Sequence, residues 1–426
     1  MHASSTLFLR SLWMLALVGV SGAARGADAW PRFRGPAGNG VAAGPSAEAA
    51  PLRWSSDQHV AWRTPLPGQG WSSPVIGDGT IYLSAAIPRE GAAEGDFDLA
   101  LLLLDADSGA LQRVVPLMAQ QGEDAPQIHT KNSHASPTPI LTAERVYVHF
   151  GHQGTACTTR GGDVIWTQRD LSFPPVHGNG GSPILFDGKL IFTCDGGRDP
   201  YVVALNADDG SVAWRTPRPV DAERKFSFCT PTAITAAGKD QIIAPGSDCV
   251  VALQPDTGKV IWEVHYDGYS VVPKPVFNGE FVFVATGFGP TKLMAIRPDG
   301  EGDVTDTHVV WEAGRGIPKT PSVIVHEGLV YLTSDDGIAM CLDAATGEPV
   351  WRERVGGNFS ASPLLIDERV YLTNEAGTTT VVAASAEFQE LAENILEERT
   401  LASLAVADGA IFQRTADALY RFEAKP

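Results

Sequence analysis

Basic charge is scarce in this chain. Lysine and arginine together number 32 against 50 aspartates and glutamates, a formal net charge of -18. That balance opposes the phosphate-neutralising contacts of nucleic-acid binding and weakens attraction to anionic membrane surfaces, so nucleic acid is not an expected partner. Cysteine is sparse too. Cys157, Cys194, Cys229, Cys249 and Cys341 form no C-x-x-C pair, no adjacent pair and no haem-attachment pattern. They read as small core residues; an oxidising compartment permits one disulfide, and the odd total leaves at least one free thiol. No cysteine precedes Cys157, so a lipoprotein-type N-terminal anchor is not expected. Outside the first residues no apolar run approaches the ~18 residues of a transmembrane helix.

What the chain does have begins with an export-signal layout: Arg10, then the apolar run Ser11 to Val20, then small residues. Two sites compete, Ser21-Gly22-Ala23 and Ala27-Asp28-Ala29, so cleavage is expected between about residues 23 and 29, with a periplasmic or secreted destination. The expected organisation is a signal peptide over 1–29, an N-terminal extension over 30–57 and one domain over 58–426. Glycine (44) and proline (30) are abundant, which favours many turns and an all-β chain.

One unit recurs. It opens with Ser-Pro or Thr-Pro, continues through a β-rich run and closes with a glycine turn and a tryptophan. The openings are Ser73-Pro74, Ser136-Pro137, Ser182-Pro183, Thr230-Pro231, Val272-Pro273, Thr320-Pro321 and Ser362-Pro363, with Ala402-Ser403 as a degenerate eighth. Successive prolines lie 63, 46, 48, 42, 48 and 42 residues apart, close to one four-stranded propeller blade, with the large insertion in the first interval. Tryptophan follows the turn glycine by four residues at Gly162/Trp166, Gly210/Trp214, Gly258/Trp262 and Gly347/Trp351, while Trp311 ends a longer turn. An indole at the end of each outermost strand can wedge between blades, contributing on the order of 3 kcal/mol by burial. Trp62, Trp166, Trp214, Trp262, Trp311 and Trp351 are therefore expected to be structural docking residues. Arg113 and the region near Leu391 stand where two of these tryptophans are missing, and those seams should be weaker. The segment around Trp62 resembles an outer strand that joins Leu404 to Phe422 to complete blade eight and remove open sheet edges. Glu387 to Arg399 has helical propensity but sits where a last strand belongs, and the repeat is expected to override propensity. The predicted fold is an eight-bladed β-propeller of four-stranded antiparallel blades.

The segment Cys341-Leu342-Asp343-Ala344-Ala345-Thr346-Gly347 through Trp351 matches the A-L-D-A-x-T-G-x-x-x-W repeat, and on it the chain resembles the PQQ-like propeller family over about residues 58 to 423. It is most similar to exported propellers of the planctomycete type through Trp30-Pro31-Arg32-Phe33-Arg34-Gly35-Pro36, His134-Ala135-Ser136-Pro137 and Asn358-Phe359-Ser360-Ala361-Ser362-Pro363. Members similar to the outer-membrane assembly factor BamB imply a scaffold that binds envelope proteins. The quinoprotein dehydrogenases imply instead PQQ with a calcium held by Glu, Asn and Asp, a catalytic Asp, a sandwiching Trp and usually two adjacent cysteines. Adjacent cysteines are absent here and no position-by-position match to the calcium set is found, so neither PQQ nor a metal is expected.

No nucleophile, base and orienting group stand at a recognised spacing, and no catalytic residue is assigned. Asp105-Ala-Asp107-Ser-Gly109 resembles the start of a calcium loop, but the twelfth position holds Pro116, so it is read as a turn. His129, His134, His149, His152 and His177 gather in blades two and three without metal-ligand spacing; His134 and His177 are expected to line the inner rim. The loops entering the innermost strands should ring one mouth of the channel. There Trp71, Lys131, His134, His177, Asn179, Lys225, Tyr269, Lys319, Asn358 and Phe359 are the candidate binding residues, for a polar, anionic or glycan-like ligand. A monomer is expected.

Overall fold

The computed structural model describes residues 29–424, save 92, 94, 123 and 124; the expected signal peptide lies outside the described residues, but for Ala29. Eight antiparallel sheets follow one another along the chain. The first blade runs from the innermost strand Val75–Gly77 to the outermost strand Leu111–Gln120, and the third from Ile184–Phe186 to Val212–Pro217. The eighth combines Ala405–Ala407, Ala410–Arg414 and Ala418–Glu423 with Val60–Pro65 from the other end of the chain, Arg63 lying opposite Tyr420. Closing the ring this way pairs strand edges that would otherwise be open to other chains. Among the described residues no helix is long and apolar enough to cross a membrane.

Glu390–Ile395 is a strand, pairing with Thr378–Ala383 despite its helix-forming residues. A fourth strand satisfies the backbone of the third, a demand that outweighs a few tenths of a kcal/mol of propensity per residue.

The tryptophans sit in the seams. Trp62, Trp166, Trp214, Trp311 and Trp351 each donate their indole N–H to a carbonyl of the following blade, those of Ala106, Ala207, Pro255, Ala344 and Ser385, at 2.9–3.1 Å. The turn glycine thus serves a second end besides positive φ: the preceding blade's indole lies against it. At Gly258 (φ +70°) an added Cβ would stand 2.5 Å from the Trp214 ring and 2.6 Å from Thr216 Oγ1. Gly258→Ala is expected to cost about 2–4 kcal/mol, by overpacking added to left-handed strain. Gly188→Ala, at φ +69° but with open space around it, should cost only about 1–2 kcal/mol. Denaturant unfolding of both variants checks the difference.

The two seams without a repeat tryptophan are closed by other means. Arg113 donates to Gly161 O and pairs with Asp163 at 3.0 Å across the first seam. In blade seven the docking position opposite Val381 holds Ala392. Trp54 of the N-terminal extension fills that space, stacked on Tyr371 (6.0 Å) and Phe422 (5.3 Å) and fixed by Asn394 Oδ1, which accepts its backbone N–H at 2.9 Å. All five cysteines are buried and unpaired, so the one disulfide that an oxidising compartment would permit does not form.

Candidate functional site: a two-ended cup on the propeller axis

Around the axis, among the described residues, a hydroxyl accepts the backbone N–H of the preceding blade at six of the blade junctions. Ser73 N–H donates to Thr138 Oγ1, Thr138 N–H to Ser182 Oγ and Ser182 N–H to Thr230 Oγ1, all at 2.9–3.0 Å. A second arc runs from Lys274 N–H to Ser322 Oγ, then Ser362 Oγ and Ser403 Oγ, over the same distances. This explains the opening dipeptides and corrects three of them. The inner-strand position belongs to Thr138-Pro139 and Lys274-Pro275, two residues beyond Ser136-Pro137 and Val272-Pro273, because the hydrogen-bonded register decides which X-Pro faces the axis. Likewise Ser322, rather than Thr320, takes that place in blade six. Among the described residues the hydroxyl protons of Thr138, Ser182, Thr230 and Ser403 meet no acceptor, while all four side chains line the axial cavity.

That cavity encloses about 430 Å³. Its upper wall is aromatic: Trp71, His177, Phe226, Phe228, Tyr269 and Phe288. The rings form an arc, with His177 edge-on to Phe226 at 5.3 Å, Phe226 to Tyr269 at 6.0 Å and Tyr269 beside Phe288 at 6.2 Å. Cations back the rings from outside: Arg224 over Tyr269 (4.2 Å), Lys319 over Phe288 (5.2 Å) and Arg399 over Trp71 (5.4 Å). Among the described residues no aspartate or glutamate lines the cavity, and Lys131 is its one aliphatic cation.

Two segments outside the repeat turn the channel into a cup. At one end the N-terminal extension crosses the ring: Trp30 pairs with Ile76 in blade one, Pro31 O accepts Leu141 N–H from blade two, and Val41–Ala42 lies parallel to Leu365–Ile366 in blade seven. Phe33, carried between these anchors, is the floor of the cavity. At the other end the insertion after blade one reaches over the mouth. His129 N–H and Asn132 Nδ2 both donate to His177 O of blade three, and Arg399 Nη2 donates to Thr130 O from the segment leading into blade eight. Lys131 pairs with Glu375 at 2.8 Å and lies 4.0 Å from Asp335. This strap therefore spans the mouth between distant blades.

Of the ten candidate binding residues, Trp71, Lys131, His177 and Tyr269 line the cup. The other six are placed elsewhere. Phe359 is buried in the core with Tyr331 and Leu365, since an apolar ring next to a blade seam gains more from burial than from the mouth. His134 packs on Phe97 at 4.8 Å and bonds Gln120, drawn aside by the extended hairpin of blade one; burial, then the nearby His152, lowers its pKa. Asn179 is held by His152 Nδ1 at 3.0 Å. Lys225 turns back to Asp221 in its own loop. Lys319 and Asn358, with Lys131, border a neighbouring depression between blades five and six. Phe33, His129, Phe226, Phe228, Phe288 and the inward hydroxyls were not among the candidates. The hydroxyls were visible in the opening dipeptides, whereas Phe33 lies in an extension whose destination no repeat announces.

The described histidines of blades two and three do not assemble a metal site. His149 is buried against Phe192 and bonds Thr155, and burial, followed by the charge of His152, holds its pKa down to about 3. Among the described residues one group could offer three ligands, His326, Glu327 and Glu368, on the outer surface. Asp105 accepts from Ser108 N–H and Oγ, as its reading as a turn residue requires. Among the described residues the calcium and quinone of the dehydrogenases find no matching donor set: the cup lining has no carboxylate, Asp335 and Glu375 are engaged by Lys131 and by Thr320 and Ser360, and the buried cysteines are isolated.

Comparison with known proteins agrees with this architecture. The family model described as outer membrane protein assembly factor BamB matches residues 175–300 and 300–392. A tetrathionate hydrolase of Acidithiobacillus ferrooxidans is 26% identical over 192 residues, 41% of this chain and 37% of that protein. The assembly factor BamB of Yersinia pestis is 23% identical over 238 residues, 51% of each chain. The chain thus spans about half, or less, of the curated relatives it matches. The quinohemoprotein alcohol dehydrogenase ADHIIG of Pseudomonas putida HK5 superimposes with a TM-score of 0.64 at 12% identity, over 93% of this chain and 81% of that one, a likeness of fold. With its family match spanning residues 175–392 and eight blades closing into one ring, the chain belongs to the PQQ-like β-propeller family related to BamB.

Proposed function

We propose that this propeller is a non-catalytic binding protein of the periplasm or cell envelope, whose cup takes a small acidic glycan. The observation that carries the reading is the cup's composition: flat aromatic walls above a ring of hydroxyl donors, with one lysine and no carboxylate among the described residues that line it. Sugar rings offer apolar faces to aromatics and oxygens to hydroxyl donors, and a uronate carboxylate would draw Lys131, the charged group at the rim, from its pairing with Glu375 and Asp335. A volume of about 430 Å³ is that of a site for one or two sugar rings. The relationship to BamB supports an envelope setting and protein partners on the outer surface, and affinity capture from envelope extract would identify them.

Isothermal titration with a uronic-acid disaccharide and its neutral counterpart tests the cup. The acidic sugar should bind more tightly; Trp71→Ala should weaken both by about tenfold, the loss of one stacking contact of 1–1.5 kcal/mol. Lys131→Gln should abolish the preference for the acidic sugar. Equal affinity of wild type for both sugars, or no effect of either substitution, would remove the reading. Incubation with PQQ and calcium should give no dye reduction with alcohols; reduction would favour the dehydrogenase alternative.

A further inference from the structure

Beneath Phe33 the N-terminal crossing buries positive charge with nothing to balance it. Arg34 is 2% exposed and donates through Nη2 to Val323 O at 2.7 Å, but its Nε and Nη1 have no partner. Arg32 Nε is buried and unpartnered as well. Lys274, 5% exposed, holds the belt position in blade five where the other blades carry a hydroxyl, and its Nζ donates only to Thr232 Oγ1 at 2.7 Å. Burial, then the positive charges of Arg34 and Arg32, pushes the Lys274 ammonium down to about 7, and burial lowers Arg34 to about 9. Among the described residues no carboxylate pairs with any of the three.

The backbone is shaped around these groups. Arg34 itself adopts φ +63°, a left-handed conformation that costs a non-glycine residue energy and persists only where the surroundings impose it. A Cβ on Gly40 would stand 2.5 Å from Arg34 Nη2, and one on Gly38 would stand 3.2 Å from Lys274 Nζ, so both glycines let the chain close around the cations. Buried charges of one sign, without counter-charge, are among the costliest arrangements in a protein. A co-buried anion removes that cost, and several N–H donors converging from guanidinium and ammonium groups suit oxygens of an oxyanion.

We infer that the propeller axis beneath Phe33 holds one small inorganic oxyanion, sulfate or phosphate, bound by Arg34, Lys274 and Arg32. This site is separate from the cup above Phe33 and pins the N-terminal crossing across the channel. The test uses the full chain, stripped of anions by dialysis into sodium chloride and titrated with sodium sulfate and, separately, sodium phosphate at matched ionic strength. Native mass spectrometry should show one bound oxyanion per chain, and the melting temperature should rise by about 3 °C at saturation. Lys274→Met should lose the bound mass and that rise, and should melt higher than wild type in chloride, because it removes an uncompensated charge. Arg32→Gln, at the partly exposed edge of the cluster, should weaken binding at least threefold, and supplies the test if Lys274→Met fails to fold. The relative strength of the sulfate and phosphate arms identifies the natural anion. Absence of bound mass in the wild type, or an equal rise and equal binding in both variants, would overturn the proposal, the latter because general salt stabilisation acts without a site.

Discussion

Trp262→Ala is expected to lower the unfolding free energy by about 4 kcal/mol, more than alanine at any other docking tryptophan. Trp262 is completely buried, whereas Trp166 and Trp214 are 9% and 7% exposed and Trp62, Trp311 and Trp351 are half-buried. Its partner also differs. The indole N–H donates to Gln241 Oε1 at 2.8 Å, and Gln241 Nε2 donates onward to Pro298 O at 2.8 Å across the seam to blade five. The reason is the irregular turn of blade five, whose Gly302–Asp303 returns to lie parallel against Trp262 and Glu263 and covers the outer edge of blade four. Removing the indole leaves both a cavity and a buried amide oxygen without its donor, and the two costs add. The denaturant midpoint should fall while the m-value holds constant. Trp62→Ala should cost about half as much, and equal losses at the two sites would show that the covering strand and the glutamine bridge contribute nothing.

Asp195→Ala should destabilise the protein by about 3–5 kcal/mol and also weaken the cup. Arg218 bridges blades three and four, donating to Asp195 at 2.6 and 2.9 Å and to Ala244 O and Pro245 O at 2.6 and 3.0 Å. Both side chains are almost fully buried. Burial pushes the Asp195 carboxyl up while the bidentate guanidinium pulls against it, so the pair is held together by geometry as much as by charge. Without the carboxylate, Arg218 is left as an uncompensated charge in the seam. The local consequence is functional: the backbone carbonyl of Asp195, which alanine keeps, accepts Ser227 N–H at 3.2 Å, so a backbone shift at position 195 as the seam relaxes carries the Phe226–Phe228 wall with it. The double variant Asp195→Leu/Arg218→Met should recover most of the lost stability, because it removes the charge along with its partner. Thermal unfolding of wild type and both variants, with sugar titration on each, checks both effects; a double variant no more stable than the single one would contradict the account.

The repeat was legible residue by residue. The Gly-x-x-x-Trp spacing, present at four blades, encodes a local event, a tight turn followed by an outer strand, and eight copies of the larger unit that carries it imply a closed ring whatever the distant residues do. The seams follow too, since an indole at that position meets the next blade's turn glycine. The same logic carried the strand at Glu390–Ile395 over its helical composition.

The cup was only half legible. Trp71, Lys131, His177 and Tyr269 fell where the mouth loops predicted, but a loop's position does not fix which way a side chain turns: Phe359 found a seam to fill, and Lys225 a carboxylate in its own loop. What lay outside the repeat was decided by the ring itself. Trp54 enters the seam of blades seven and eight because Ala392 leaves room there, Phe33 closes the channel because the extension must cross it to reach blade seven, and the strap spans the mouth because its partners lie on opposite blades. Periodic sequence determined the blades, since each depends on its own residues. Where the non-repeating segments lie depended on cavities and charges that exist only once all eight blades have closed.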